Sequence, residues 1–227
     1  MPKRSVFAGL GDYYSQSHTG YPALPFIYKN ISDFSGELKN RNWENTTPMI
    51  DDTAKKEMIT LKLKEVIDSS SPEDWLLFYF TGHANKYFLP EEEKAKTYCV
   101  TNSPDLTTDF RPGLEQFFSE IDYNAIIDSF GNNVPGGHLI TVLDCCFAAG
   151  IVETFSTPTP FHTIIAASSA QTKAAYTDNS LFFKAFTKYW ASPFNQLKTQ
   201  VQRAMMTLQA PNTCQVMVAS NFQNATL

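Results

Sequence analysis

The chain alternates short runs that are apolar at nearly every position with longer stretches in which apolar residues recur every three or four positions. Runs of the first kind fall at residues 5–10, 75–80, 138–143, 163–167 and 214–219, with a weaker one at 97–101. Their β-branched and aromatic content predicts six strands. Stretches of the second kind predict helices. Ile31, Phe34 and Leu38 follow an Asn30 cap, and Ile59, Leu63, Val66 and Ile67 follow Thr53. Tyr123, Ile126, Ile127 and Phe130 share a face, as do Leu181, Phe182, Phe186, Tyr189 and Trp190, and then Phe194, Leu197, Val201, Met205 and Leu208. Strands without polar alternation are those covered on both faces, so the order predicts an α/β fold: a mainly parallel six-stranded sheet inside a three-layer α/β/α sandwich.

Composition narrows the classes. Apolar residues make up 43% and charged residues 18%, which excludes a disordered or coiled-coil chain. The 227 residues are expected to form one domain, 1–227, with the acidic, Pro-containing stretch 89–113 as a surface excursion. Eighteen Lys and Arg against 23 Asp and Glu leave a net charge of −5, the wrong sign for binding nucleic acid. The longest unbroken apolar run, 75–80, is far too short to cross a membrane, and the N-terminal apolar stretch breaks at Gly11-Asp12, so a cytoplasmic protein is expected. Cys99, Cys145, Cys146 and Cys214 include no C-x-x-C pair and read as thiols.

In a parallel sheet the chemistry gathers where strands end. The run 75–80 exits into Thr81-Gly82-His83-Ala84, and the run 138–143 exits into Asp144-Cys145-Cys146-Phe147. A histidine and a cysteine therefore emerge at one edge, as a nucleophile and its base must. Taken singly, each is more often a structural residue. On the residues alone the two readings stand level.

The apolar strand running into Thr81-Gly82-His83, together with Leu143-Asp144-Cys145-Cys146, resembles the corresponding segments of caspase-like cysteine peptidases, metacaspases in particular. The resemblance covers nearly the whole chain. Residues 6–14 resemble the first strand and its turn, Asn30-Ile31-Ser32-Asp33 the first helix, residues 164–169 the strand after the nucleophile, and residues 181–190 the helix that follows. It implies Cys146 as nucleophile, His83 as its acid and base partner, and the backbone N–H groups of Cys146 and Ala84 as the oxyanion hole. Alternation along an extended segment then turns Cys145 away from the cleft. The chain departs from the family at Ala84, where relatives have a second glycine, and at residues 147–150.

The same resemblance implies a substrate class. No Lys or Arg occurs in residues 11–28 or 151–172, so a caspase pocket for aspartate lacks its cations. Asp144 and Asp33 match the two carboxylates with which metacaspases select Arg or Lys, and Thr81 matches a hydroxyl of that pocket. The implied partners are a protein substrate with a basic residue at the cleavage site and a regulatory activator or inhibitor protein. Lys94, Lys96 and Arg111 are the expected points of self-cleavage. No metal is expected at the site and no cofactor is required; calcium, which activates many metacaspases, stays an open option. Relatives act in regulated cell death or microbial defence. The alternative is a catalytically silent caspase-like interaction module.

Overall fold

The layout follows from two strands that bury both faces. A computed structural model of the chain describes residues 1–13, 21–87, 96–102, 118–151, 159–169, 172–208 and 214–227. In chain order its elements are β1 (Lys3–Gly9), α1 (Phe26–Asn40), β2 (Glu44–Asn45), β3 (Met49–Ile50), α2 (Lys56–Asp68), β4 (Trp75–Thr81), β5 (Ala84–Tyr87), β6 (Lys96–Cys99), β7 (Phe118–Ser119), α3 (Glu120–Asn133), β8 (His138–Asp144), β9 (His162–Ala166), α4 (Leu181–Phe186), α5 (Phe194–Thr207) and β10 (Gln215–Met217). β4 and β8 pair in parallel from Trp75 opposite His138 to Thr81 opposite Asp144. β1 flanks β4 and β9 flanks β8, both parallel, while β10 closes one edge antiparallel to β9. The short β2 and β3 pair with the other side of β1.

Side chains alternate between two cores, one per face. Phe7, Leu77, Tyr79, Ile140, Val142 and Ile165 meet Ile27, Ile31 and Phe34 of α1, Phe182 and Phe186 of α4, and Phe194 and Leu197 of α5. Val6, Ala8, Leu76, Phe78, Phe80, Leu139 and Leu143 meet Ile59 and Leu63 of α2 and Tyr123, Ile126 and Phe130 of α3. The fold is therefore the expected three-layer α/β/α sandwich. Among the described residues no helix is long and apolar enough to cross a membrane.

Three expectations change. The 97–101 run is a strand, but it lies outside the central sheet, whose edge beyond β1 is supplied by β2 and β3. β6 pairs instead between β5 and β7 in a small antiparallel sheet. Most of the 89–113 stretch, including Lys94 and Arg111, lies outside the described residues, but Thr97 to Asn102 are buried rather than on the surface, because this second sheet packs Cys99 and Phe118 into the α2 and α3 core. Finally, α1 starts four residues before its expected cap. Pro25, with φ already helical at −62°, stands directly before Phe26 and starts the helix, leaving Asn30 buried within it.

Two histidines are buried at the start of the sheet's central strands. His138 Nε2 bonds the Thr163 hydroxyl at 2.8 Å, and its ring stacks on Phe222 with centroids 4.0 Å apart. His162 Nε2 bonds the Tyr123 hydroxyl at 2.6 Å. Burial holds each down to about 3, so both stay neutral in the fold while the unfolded chain takes up protons near pH 6.5. Their contribution to stability is complete above pH 6.5 and is lost as the pH falls toward 3. Urea unfolding should therefore lose roughly 1 to 2 kcal/mol per histidine between pH 6.5 and 5, and His138→Gln should flatten that slope.

Candidate functional site

The matched ends of β4 and β8 set the site. Gly82 N–H donates to the Asp144 carbonyl at 3.3 Å, so the two strands are still tied where they turn away from the sheet. His83 and Cys146 leave from this point and line one narrow cleft, with Gly82, Asp144, Leu24, Phe26, Tyr176 and Ser180 also around it. Gly82 is needed there for close approach. A Cβ on it would lie 2.6 Å from the Tyr13 hydroxyl, and that hydroxyl accepts the His83 backbone N–H at 2.5 Å.

The imidazole of His83 is held in one tautomer. Its Nε2 lies 2.9 Å from the Pro22 carbonyl. A carbonyl only accepts, so Nε2 carries the proton and Nδ1 keeps the lone pair. The rings of Tyr13 and Tyr21 pack against it at 4.6 and 5.1 Å, and Tyr176 approaches edge-on at 6.4 Å. Burial lowers the imidazole's basicity, opposed by the bond to Pro22.

Cys146 is half-buried, whereas Cys145 points into the core and lies against Cys99, as alternation along the segment requires. Burial pushes the Cys146 thiol up, while the Ala174 N–H and the charge of Lys173 pull it down. At neutral pH the pair thus consists of a thiol and a neutral imidazole. The turn after Cys146 is pinned by Ser168, whose hydroxyl donates to the Cys145 carbonyl and accepts the Ala148 N–H, each at 3.0 Å. Its carbonyl takes the Ala149 N–H at 3.0 Å. Phe147 sits in the left-handed region at φ 53°, its N–H bonded to the Thr172 carbonyl at 2.9 Å and its ring under Lys86 Nζ at 5.2 Å.

Ala84 opens β5 opposite Cys99. Because the neighbouring His83 carbonyl takes the Val100 N–H at 2.9 Å, Ala84 falls at a position of the ladder where backbone groups turn away from β6. Its N–H is therefore not used in that pairing, and alanine at this position is an ordinary strand residue that needs no glycine.

Asp144 is 5% exposed, with one oxygen on the Ser180 hydroxyl at 2.6 Å and the other 3.4 Å from the Tyr79 hydroxyl. Burial raises its carboxyl to about 6, against the opposing pull of Ser180, Tyr79 and the nearby Thr81. Thr81 is wholly buried beside it, and its hydroxyl has no bonding partner of ordinary geometry. Asp33, by contrast, does not join this group. It lies on the solvent face of α1, in an ion pair with Lys29 at 2.5 Å, because the apolar face that packs on the sheet takes residues 27, 30, 31, 34 and 38 and leaves 33 outward. Its expected place in the pocket is corrected accordingly.

Sequence reasoning missed Tyr13, Pro22, Ser168 and Ser180. Three act through long-range hydrogen bonds and Pro22 through a backbone carbonyl, for which no local pattern exists. Ser180 did carry a signal: a serine directly before the apolar run at 181 is a helix N-cap, and it accepts the Phe183 N–H at 3.1 Å. Among the described residues no group of three or more His, Cys, Asp or Glu side chains converges as metal ligands would. Asp51, one of the adjacent pair Asp51-Asp52, already accepts the Gly11 and Asp12 N–H groups at 2.8 and 3.0 Å and the Tyr28 hydroxyl at 2.7 Å.

No protein-family model matches the chain, and no curated protein matches it. Among solved structures, the chain is similar to the crystal structure of protein GSU0716 from Geobacter sulfurreducens, with a TM-score of 0.74 and 9% sequence identity over 98% of this chain and 97% of that one. At that identity the likeness concerns the fold alone.

Ser168 provides a direct check on the turn. Ser168→Ala leaves the buried Ala148 N–H without its acceptor and should cost about 1 to 3 kcal/mol in urea unfolding. An unchanged midpoint would show that another group fixes the loop.

Proposed function

We propose that the protein is a caspase-like cysteine endopeptidase that cleaves after Arg or Lys, with Cys146 as nucleophile and His83 as its partner. The observation that carries the reading is the convergence, at the matched ends of β4 and β8, of a half-buried thiol, a histidine in a fixed tautomer and a buried carboxylate in a single cleft. Support comes from the Pro22 clamp, which fills the role of the third group that orients a base.

The chemistry follows from the protonation states. With its Nε2 proton held by Pro22, His83 has Nδ1 to receive the Cys146 proton as the sulfur attacks the scissile carbonyl. The imidazolium then protonates the departing amine, and neutral Nδ1 draws a proton from the water that releases the acyl group. The developing oxyanion is held by the N–H groups of Cys146 and Ala84. Asp144 supplies the selectivity: a buried carboxylate without a cation is costly, and an Arg or Lys side chain provides the missing charge. The substrate is thus a protein with a basic residue at the cleavage point, in the cytoplasm, and a role in cell death or defence is part of the same reading.

Peptides ending in arginine with a thiol-reactive group should label Cys146 and leave Cys99, Cys145 and Cys214 untouched; mass spectrometry without an adduct at Cys146 would overturn the assignment. The kcat/KM for an arginine peptide should fall as the pH drops through about 6, since Asp144 is anionic above that point and neutral below it. Asp144→Asn should remove most of this activity together with that acid limb. If cleavage after arginine persists unchanged in the variant, the basic-residue pocket is elsewhere.

A further inference from the structure

Tyr13 and His83 leave neighbouring strands. β1 and β4 pair in parallel as far as Gly9 opposite Thr81, and the Leu10 N–H still donates to the Thr81 carbonyl at 3.3 Å. Beyond this point the Tyr13 side chain is wholly buried, its ring 4.6 Å from the imidazole and its hydroxyl accepting the His83 N–H. The turn that presents it is anchored from outside, because the Asp51 carboxylate accepts the Gly11 and Asp12 N–H groups. Burial raises the Tyr13 hydroxyl well above its ordinary value, so it meets His83 as a neutral phenol.

That bond replaces one the small sheet would otherwise make. Ala84 stands opposite Cys99, which puts His83 opposite Val100. Residues that face each other at a hydrogen-bonded position of an antiparallel ladder exchange two bonds. Here one is made, from the Val100 N–H to the His83 carbonyl at 2.9 Å, and the N–H that would return it goes to Tyr13. The His83 backbone is thus held from two sides, its carbonyl by the β6 segment and its N–H by the chain that follows β1, while Pro22 holds the ring.

We infer that Tyr13 is a positioning residue, whose hydroxyl diverts the His83 N–H from the β6 ladder and so keeps the imidazole on the Pro22 carbonyl, in the cleft with Cys146. Its meaning for catalysis rests on the peptidase reading, which it deepens. Without the hydroxyl a buried N–H is left unpaired, which is costly, and the acceptor that the ladder offers is the Val100 carbonyl. Closing the ladder draws the chain at His83 toward β6 and loosens the bond between Nε2 and Pro22. A base displaced by about 1 Å can lose a hundredfold in rate.

Tyr13→Phe keeps the ring and removes only the oxygen. The chain has four histidines, so a nitrogen-15 spectrum of their side chains, with His83 assigned by its loss in His83→Gln, reads the tautomer directly. The unliganded wild-type protein should show His83 in the single Nε2–H form, and Tyr13→Phe should move it toward a mixture of both forms. In the same variant kcat for an arginine peptide should fall by about tenfold or more, with KM changed by less than about twofold. Asp51→Ala leaves Tyr13 and His83 chemically intact but frees the turn; it should shift the His83 signals the same way and decides the matter if Tyr13→Phe does not fold. Unchanged His83 signals in the folded variant, or a lowered unfolding midpoint as the only change, overturns the positioning role, as does a wild-type His83 that already shows both forms. Shifted His83 signals in a protein whose Cys146 takes no arginine-directed label and which cuts no peptide would leave Tyr13 holding His83 and overturn the peptidase reading instead.

Discussion

The carboxylate of Asp144 is the constraint around which the site is organised. It ends a central strand of a sheet covered on both faces, a place where a charge is far from water, and among the described residues no cation lies beside it. The fold retains it through neutral donors, the Ser180 and Tyr79 hydroxyls, with the Thr81 hydroxyl close by. These hold the acid near 6 instead of higher, so at neutral pH it is an anion in apolar surroundings. Tyr79 and Thr81 belong to β4 and Ser180 to the start of α4, and each is tied elsewhere. Ser180 caps α4, Tyr79 packs in the α1 core, and Thr81 continues β4 into the turn that carries His83.

The same arrangement separates two duties within four residues. Asp144 and Cys146 face the cleft, while Cys145 between them joins the α2 and α3 core against Cys99. The small antiparallel sheet is thus not an appendage: β6 presents Cys99 as the floor beneath Cys145 and takes the backbone of His83 through Val100. Moving β6 would disturb both the strand exit that carries the histidine and the packing under the cysteine. The Ser168 staple does the complementary work on the far side, and Phe147 can stay in a strained conformation because the bonds around it leave no alternative path for the chain.

Much of the layered fold was legible because a strand buried on both faces announces itself without alternation, and the five strongest runs all lie in the central sheet. Pairing was not legible in the same way. Residues 97–101 have the composition of a strand, but composition does not name a partner, and only long-range packing sends β6 to β5 and β7. At the candidate site, a histidine and a cysteine could be read because they directly follow such strands, whereas the choice of Cys146 and the places of Asp144 and Thr81 came from the metacaspase resemblance. Pro22 could not, since it acts through its carbonyl, and any residue type would offer one.

The placement of Asp33 separates where a helix starts from which of its faces is buried. Asparagine is a favoured helix cap, so placing the start of α1 at Asn30 is a fair reading of residue type, but Pro25 has its φ preset for a helix and starts the turn earlier. The start does not set the phase: at 100° per residue the positions that reach the core are Ile27, Asn30, Ile31, Phe34 and Leu38, which contain the predicted face of Ile31, Phe34 and Leu38. Asp33 is then forced outward, where Lys29 one turn earlier pairs with it. The expected face of Ile31, Phe34 and Leu38 already turns residue 33 to solvent, whichever residue opens the helix, so the place of Asp33 in the pocket rested on the metacaspase resemblance and not on the helix pattern.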